Sequence, residues 1–359
     1  MISNRKREDV LPLHVMELPR KVVVGEEILG DMGSILGDLE LGKNALLIWG
    51  PNVKKIVGDT LLGSLEEKGY EVNWEIAGPS TFQEVERISQ VTLKVGASFL
   101  VGIGGGRSID IAKLASFNSK LPFVSVPTSA SHDGISSPFA SVKGLDRPYS
   151  VVAKPPIAIV ADVSIISKAP LPLLVSGCGD LVSKLTAVRD WELSHERTGE
   201  YFGGYSANLA LLSADLVIDN ASAISDKSQE AVRVVVEALI SAGVAAGIAG
   251  SSRPCSGSEH LFSHAMDITA PGKGMHGEKC GMGSIMMAKL HGLDYMQIKD
   301  ALSLMGASTK SSDIGATEEE IIKALVLAKN IRKERYTILN EKQLTSETAK
   351  NLAKEVGII

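Results

Sequence analysis

Through its first 165 residues the chain alternates short apolar runs, several closed by glycine or proline, with stretches of helical period. Lys21–Val24, Asn44–Gly50, Glu71–Ile76, Ala97–Gly104 and Phe123–Pro127 read as strands. Between them, helices are expected over Glu26–Leu36, Val53–Lys68, Thr81–Val95 and Ser108–Phe117. The second carries apolar residues at Ile56, Leu61, Leu62 and Leu65. Strands alternating with helices imply parallel pairing and right-handed crossovers. A short β segment should follow, over Ala140–Asp146, Tyr149–Lys154 and Ile157–Asp162, punctuated by Gly144 and Pro148. From about Pro170 the strand signals stop. Helical periodicity then runs through Asp180–His195, Tyr205–Ile224, Ser228–Ala249, Glu259–Met266, Gly283–His291, Met296–Met305, Glu318–Asn330 and Ser346–Val356. The expected fold class is α/β plus all-α. A Rossmann-like parallel-sheet domain over residues 1–169 precedes a helical domain over 170–359, with the active site in the cleft between them.

Ligands of such a sheet bind beyond the carboxyl ends of its strands. Two loops should lie on that rim. One is the turn Gly104-Gly105-Gly106-Arg107-Ser108-Ile109-Asp110, between an apolar strand and a helix start. Glycine admits a tight turn and close approach of a ligand, and the helix N-terminus offers free N–H groups to an anion. The spacing departs from G-x-G-x-x-G, and no Lys-Ser/Thr of a P-loop follows. The other is Pro127-Thr128-Ser129-Ala130-Ser131-His132-Asp133-Gly134.

In the helical half, three of the seven histidines fall between residues 260 and 276. Histidine is the commonest metal ligand that is neutral near pH 7. His260 and His264 are four apart, on one helix face. His276 follows a Pro271-Gly272-Lys273-Gly274 turn that can aim a third ring at the same point, and a loop aspartate, Asp180 in Ser176-Gly-Cys-Gly-Asp, can supply a carboxylate. Two histidines and a carboxylate with an open position make a catalytic zinc site. Spacing alone leaves open whether His260 or His264 is the ligand, and whether these rings bind metal at all or lie on a helix surface.

The charge balance narrows the partners. A net charge of −5 argues against a nucleic-acid-binding face. The densest basic run, Lys329-Asn-Ile-Arg332-Lys333-Glu334-Arg335, reads first as a solvated helix face and second as a phosphate contact. Cys178, Cys255 and Cys280 form an odd, sparse set with no CxxC, which points to reduced thiols in a cytoplasmic setting. They are expected to be small buried residues near the metal region. The N-terminal Met1–Asp9 is charged with no apolar stretch behind it, unlike a signal peptide. The apolar tract 238–250 is too short to span a bilayer and reads as a core helix.

At these residues the sequence resembles the iron- and zinc-dependent polyol dehydrogenase group, which includes glycerol dehydrogenases and dehydroquinate synthase. Within it the sequence is most similar to the archaeal sn-glycerol-1-phosphate dehydrogenases. The motifs are Gly104-Gly-Gly-Arg-Ser-Ile-Asp110, Pro127-Thr-Ser-Ala-Ser-His-Asp133-Gly, Gly177-Cys-Gly-Asp180-Leu, Ser256-Gly-Ser-Glu-His260-Leu-Phe-Ser-His264 and His276-Gly-Glu278, and the likeness runs over nearly the whole chain. The triple glycine marks only the wider group; the second and fourth motifs are more specific.

The resemblance implies that Gly106, Arg107, Ser108, Ile109 and Asp110 hold the dinucleotide pyrophosphate, and that Thr128, Ser129, Ala130, Ser131 and Ser137 complete an NAD(P)H site. It implies one Zn2+ per subunit on Asp180, His260 and His276, with Asp133, Asp180 and His264 at the substrate, and Asp180 and His264 catalytic. The implied reaction is reduction of dihydroxyacetone phosphate to sn-glycerol 1-phosphate, the backbone of archaeal membrane lipids. The alternatives are a glycerol dehydrogenase or a dehydroquinate synthase-like lyase on the same fold. A homo-oligomer taking a small-molecule substrate, with no nucleic-acid partner and no membrane span, is expected. For the phosphate, Lys184, Arg253, Lys273 and Lys279 are unranked candidates; for a proton relay, His264 and the Asp133 region with His132. The strand Leu46–Trp49 runs into Gly50-Pro-Asn52-Val-Lys54-Lys55 with no acid to bind a ribose 2′-hydroxyl, so both NADH and NADPH should be accepted.

Overall fold

The computed structural model describes residues 14–142 and 149–359. The Met1–Asp9 stretch and the expected punctuation at Gly144 and Pro148 lie outside the described residues. Six strands form one parallel sheet: β1 (Lys21–Gly25), β2 (Asn44–Trp49), β3 (Glu71–Ile76), β4 (Phe99–Gly104), β5 (Phe123–Pro127) and, after an intervening hairpin, β8 (Ala158–Asp162). Their order is β1-β8-β5-β4-β2-β3, and every pairing is parallel. β4 and β5 are buried along their whole length, as continuous apolar runs covered on both faces must be. The hairpin pairs β6 (Phe139–Val142) with β7 (Tyr149–Val152) as a separate antiparallel ribbon. The last run expected in the β segment leaves that ribbon and enters the main sheet as β8, between β1 and β5. That connection is long-range and no local pattern encodes it.

Helices cross between the strands. Thr81 caps Phe82–Lys94 by accepting the Glu84 amide at 3.2 Å. From Val163 onward the described chain is helical. The tract 238–250 belongs to a 21-residue helix, Gln229–Ala249, whose apolar window is 72% buried within the fold. Length and hydropathy alone would let it cross a membrane, as they would the stretch Leu171–Thr198, which is 78% buried. Both pack inside the protein. The expected single helix over Asp180–His195 is two, Leu171–Val182 and Lys184–Thr198, broken at Ser183, whose hydroxyl donates to the Asp180 carbonyl at 2.5 Å.

Two expectations are corrected here. Asp180 is no loop residue: it sits in the last turn of helix Leu171–Val182. The glycines around it serve close packing instead of a turn. A Cβ on Gly179 would stand 2.2 Å from the Gly277 carbonyl oxygen, so only glycine lets these two helices meet. The second concerns the helix placed at Gly283, which begins seven residues earlier, at His276, and runs to His291. Met275 precedes it in an extended conformation, with its amide bound by Glu278 at 2.7 Å.

Candidate active site

Four elements bring the chemistry together. Helix Leu171–Val182 presents Asp180, helix Ser258–Thr269 presents His260 and His264, helix His276–His291 presents His276 and Cys280, and the loop after β5 presents Asp133. Single donor atoms of Asp180, His260, His276 and Cys280 all lie within 4.8 Å of one another. Asp180 Oδ1 is 3.5 Å from His260 Nε2 and 3.7 Å from His276 Nε2. Cys280 Sγ is 3.6 Å from His276 Nε2. The two oxygen–nitrogen spacings are those of atoms sharing a common neighbour, wider than direct hydrogen bonds, and the sulfur is within hydrogen-bond reach of the ring.

The ring of His260 is fixed from behind. Its Nδ1 meets Glu259 Oε1 at 2.8 Å. Glu259 is fully buried and also accepts the Gly257 amide at 2.6 Å and the Thr186 hydroxyl at 2.8 Å. A carboxylate on the far nitrogen sets the tautomer and raises the basicity of the near one. Asp180 is held equally firmly. Its Oδ2 accepts the Asp133 amide at 2.9 Å, and its Oδ1 is 3.1 Å from the ammonium of Lys184. Lys184 is completely buried and also pairs with Asp133 Oδ2 at 2.8 Å.

The electrostatics call for a cation. Burial opposes ionisation of Asp180, but Lys184 and the two histidines outweigh it and hold the carboxyl well below its ordinary value. Burial likewise works against the Cys280 thiolate, yet His260 and His276 bring the thiol down to about 6. His276 is pushed up to about 9, the pull of Cys280 and Asp180 exceeding the burial penalty. Protons on these rings occupy the place a metal would take, and metal binding must release them. Carboxylate, imidazole and thiolate are the donors zinc accepts.

His264 stands apart from this set. Its ring centroid is 6.3 Å from that of His276, and its Nδ1 is sealed from solvent with no hydrogen-bond partner, Asp267 Oδ2 lying 3.8 Å away. Burial pulls it down to about 4, so the ring is neutral at pH 7. His132 caps its own loop, its Nδ1 accepting the Gly134 amide at 2.9 Å, while its Nε2 is directed at Gly106.

Two cavities meet at the glycine turn. The inner one, of about 350 Å³, is lined by His132, Asp133, His260, His264 and His276, together with Asp110 and Ser137. The outer one, of about 620 Å³, is lined by Asn52, Ser108, Thr128, Ser129 and Ser131. Gly106 and Arg107 line both. Gly104 turns the chain at φ +140°, a conformation closed to residues with a Cβ, and the helix Gly106–Ser119 starts directly behind it. Of the residues the resemblance placed at the cofactor, Ile109 and Ala130 line neither cavity and are buried in the core. Asp110 faces the inner cavity but is also structural: its Oδ2 accepts the Ser141 amide at 3.0 Å, and its Oδ1 has no hydrogen-bond partner.

The candidate phosphate contacts separate. Lys184 is consumed by the two aspartates. Arg253 pairs with Glu200 and Lys273 with Glu320. Only Lys279 lines the inner cavity, paired with Asp267. Two residues weigh more in the structure than in the sequence reading. Cys280 was expected only as a small buried neighbour, yet the His276-x-x-x-Cys280 spacing puts it one helical turn from a donor. Arg332 was read first as part of a solvated helix face and second as a phosphate contact; the helix ends at Ala328 and the run beyond it folds inward to the cavity.

The profile of iron-containing alcohol dehydrogenases matches residues 23–170. A glycerol-1-phosphate dehydrogenase, NAD(P)+, of Nitrosopumilus maritimus is 52% identical over 354 residues, covering 99% of both chains. This chain belongs to the glycerol-1-phosphate dehydrogenase family. The family member of Pyrococcus horikoshii is 46% identical over 347 residues, 97% of this chain and all of its own. Among solved structures, the glycerol dehydrogenase of Schizosaccharomyces pombe superposes with a TM-score of 0.79 at 20% identity, over 96% of this chain and 90% of its own. At that identity the likeness establishes the fold, a parallel sheet with a helical half.

Proposed function

We propose that this member of the family is an NAD(P)H-dependent dehydrogenase that reduces dihydroxyacetone phosphate to sn-glycerol 1-phosphate, with residues up to 169 carrying the dinucleotide and residues from 170 the metal and substrate. The observation that carries it is the meeting of the four-donor cluster with the glycine-turn cavity at Gly106 and Arg107. A dinucleotide whose pyrophosphate lies at the N-terminus of helix Gly106–Ser119 would thread from the outer cavity to the inner one.

Asp180, His260 and His276 would hold Zn2+, which when bound supplies Lewis acidity, while the nicotinamide supplies the hydride. The residues do the rest. Glu259 keeps the His260 Nε2 lone pair pointed at the cluster. Lys184 fixes Asp133 and Asp180 relative to each other, so the substrate face and the metal face move together. Gly106, Arg107, Ser108, Thr128, Ser129 and Ser131 would line the dinucleotide, with Ser137 and Asp110 at its inner end. Asp133 would contact the substrate's hydroxyl side. His264, neutral and beside Asp267, is placed to carry the proton that a reduced carbonyl requires.

The test follows NADPH oxidation with dihydroxyacetone phosphate, alongside glycerol oxidation and turnover of a dehydroquinate precursor, before and after chelator treatment and zinc return. Zinc-dependent NADPH consumption on dihydroxyacetone phosphate alone is expected. Product from the dehydroquinate precursor without net cofactor consumption would replace this reading with the lyase.

A further inference from the structure

A phosphorylated substrate brings close to two negative charges into a cavity whose metal end is already lined with anionic donors. Something at the other end must receive them. Arg332 lies in the turn after helix Glu318–Ala328 and lines the inner cavity together with His264, Asp267 and Lys279. It is half-buried, yet no hydrogen bond or ion pair satisfies its guanidinium among the described residues. That is unusual for a partly desolvated arginine, whose five fixed donors ordinarily find carbonyl or carboxylate partners.

The surroundings are tuned the same way. Arg335 donates to the Ser256 carbonyl and to Ser252 Oγ at 2.8 Å, and so pins a loop that lines the cavity. Arg253, in that loop, is bound to Glu200. Lys279 is bound to Asp267, and Glu259 is matched to His260. Of these cations Lys279 and Arg332 line the inner cavity; Lys279 is matched by Asp267, and Arg332 by no carboxylate among the described residues. Burial, with the neighbouring guanidinium of Arg332, depresses Arg335 to about 9.

We infer that Arg332, supported by Lys279, forms the subsite that receives the phosphate group of the substrate, and so separates phosphorylated from free trioses in this cavity. Planar N–H groups on Arg332 can take two phosphate oxygens at once. Asp267 stands next to them as the one carboxylate of the subsite. It holds Lys279 and faces His264, and so limits binding to an anion that outcompetes it. The inference rests on the proposed function above, since it assigns the phosphate end of that same substrate.

The experiment compares kcat/KM for dihydroxyacetone phosphate and for dihydroxyacetone in zinc-loaded protein with saturating NADPH, for wild type and Arg332→Met. The expected loss is roughly 10²–10⁴-fold on the phosphorylated substrate, from one to two charge-assisted hydrogen bonds, with the free triose changed by less than about threefold. Zinc content and Tm should stay unchanged. An equal loss on both substrates, or no loss on either, overturns the inference. Inorganic phosphate binding, measured by calorimetry, separates the two claims. If wild type fails to reduce dihydroxyacetone phosphate, the functional reading falls. The subsite still stands or falls on whether phosphate binds and whether Arg332→Met abolishes that binding. Should the methionine variant fold poorly, Arg332→Lys keeps the charge without the fork. It is expected to lose about tenfold on the phosphorylated substrate only, and an unaltered kcat/KM in it would count against the inference.

Discussion

Replacing Glu259 tests whether the donor cluster is built to hold a metal or is only a buried polar patch. Its carboxylate accepts three hydrogen bonds, from Gly257 N, His260 Nδ1 and Thr186 Oγ1. Glu259→Gln can keep all three positions filled. The amide oxygen would face Gly257 and His260, and the amide nitrogen would donate to Thr186, whose own hydroxyl still reaches the Ser183 carbonyl at 3.1 Å. Only the negative charge behind the imidazole is lost. Glu259→Ala removes the charge, leaves the Gly257 amide unpaired in a buried site, and frees the His260 ring to turn. Loss of such a supporting carboxylate weakens metal binding by about 10- to 100-fold, or roughly 1.4–2.8 kcal/mol. The glutamine variant belongs at the low end and the alanine variant at the high end. Zinc affinity is read by competition with a chromophoric chelator. Activity is then assayed at saturating zinc, where both variants should recover most of their kcat, because neither substitution touches the cavity. Alanine and wild type within twofold of each other in zinc affinity would refute the role given to Glu259. Glutamine binding zinc more weakly than alanine would refute the hydrogen-bond reasoning.

Three further outcomes are expected. His264→Ala should retain stoichiometric zinc while losing rate, whereas His276→Ala should lose both; equal metal loss in His264→Ala and His260→Ala, by atomic absorption, would exchange the two assignments. Zinc binding near pH 7 should release more than one proton, because His260 and His276 are held protonated above their ordinary values by the thiolate and carboxylate beside them; calorimetry in buffers of different ionisation enthalpy measures this, and Cys280→Ser should reduce the number released yet keep catalysis if an open coordination position exists. Both NADPH and NADH should be used, within roughly 1.5–3 kcal/mol of each other, because the outer cavity has Asn52 and Lys168 in its wall and no acidic side chain; a preference for NADH above about a thousandfold in kcat/KM, roughly 4 kcal/mol, would reveal an acid at the ribose.

Much of the architecture was legible locally. The strands β2, β3 and β5 fall where the sequence put them: β2 and β5 are the apolar runs that a buried parallel strand requires, and β3 is a mixed, partly exposed strand at the sheet edge. The triple-glycine turn needed no tertiary knowledge either: Gly104 adopts a backbone conformation that only glycine supports. The His260/His264/His276 grouping was visible in residue type and spacing. Spacing could not choose between His260 and His264, since four residues put both on one face. That choice depends on which ring Glu259 turns and which ring faces Asp180; Glu259 adjoins His260 on its own helix, but Asp180 comes from another.

Tertiary packing also decided what glycine meant around Asp180. In the sequence, Gly177 and Gly179 looked like a loop; in the fold both are helical, Gly177 packed against the Ala130 carbonyl and Gly179 against Gly277 of helix His276–His291. It placed Lys184 between two aspartates instead of in solvent, and it turned Arg332 inward past the end of its helix. Periodicity reports whether a residue is covered, not what covers it. A buried charge is tolerable only beside its counter-charge, and here Lys184 finds one a helical turn away at Asp180 but the other at Asp133, while Arg253 pairs with Glu200 and Lys273 with Glu320, each of these last partners from a distant segment.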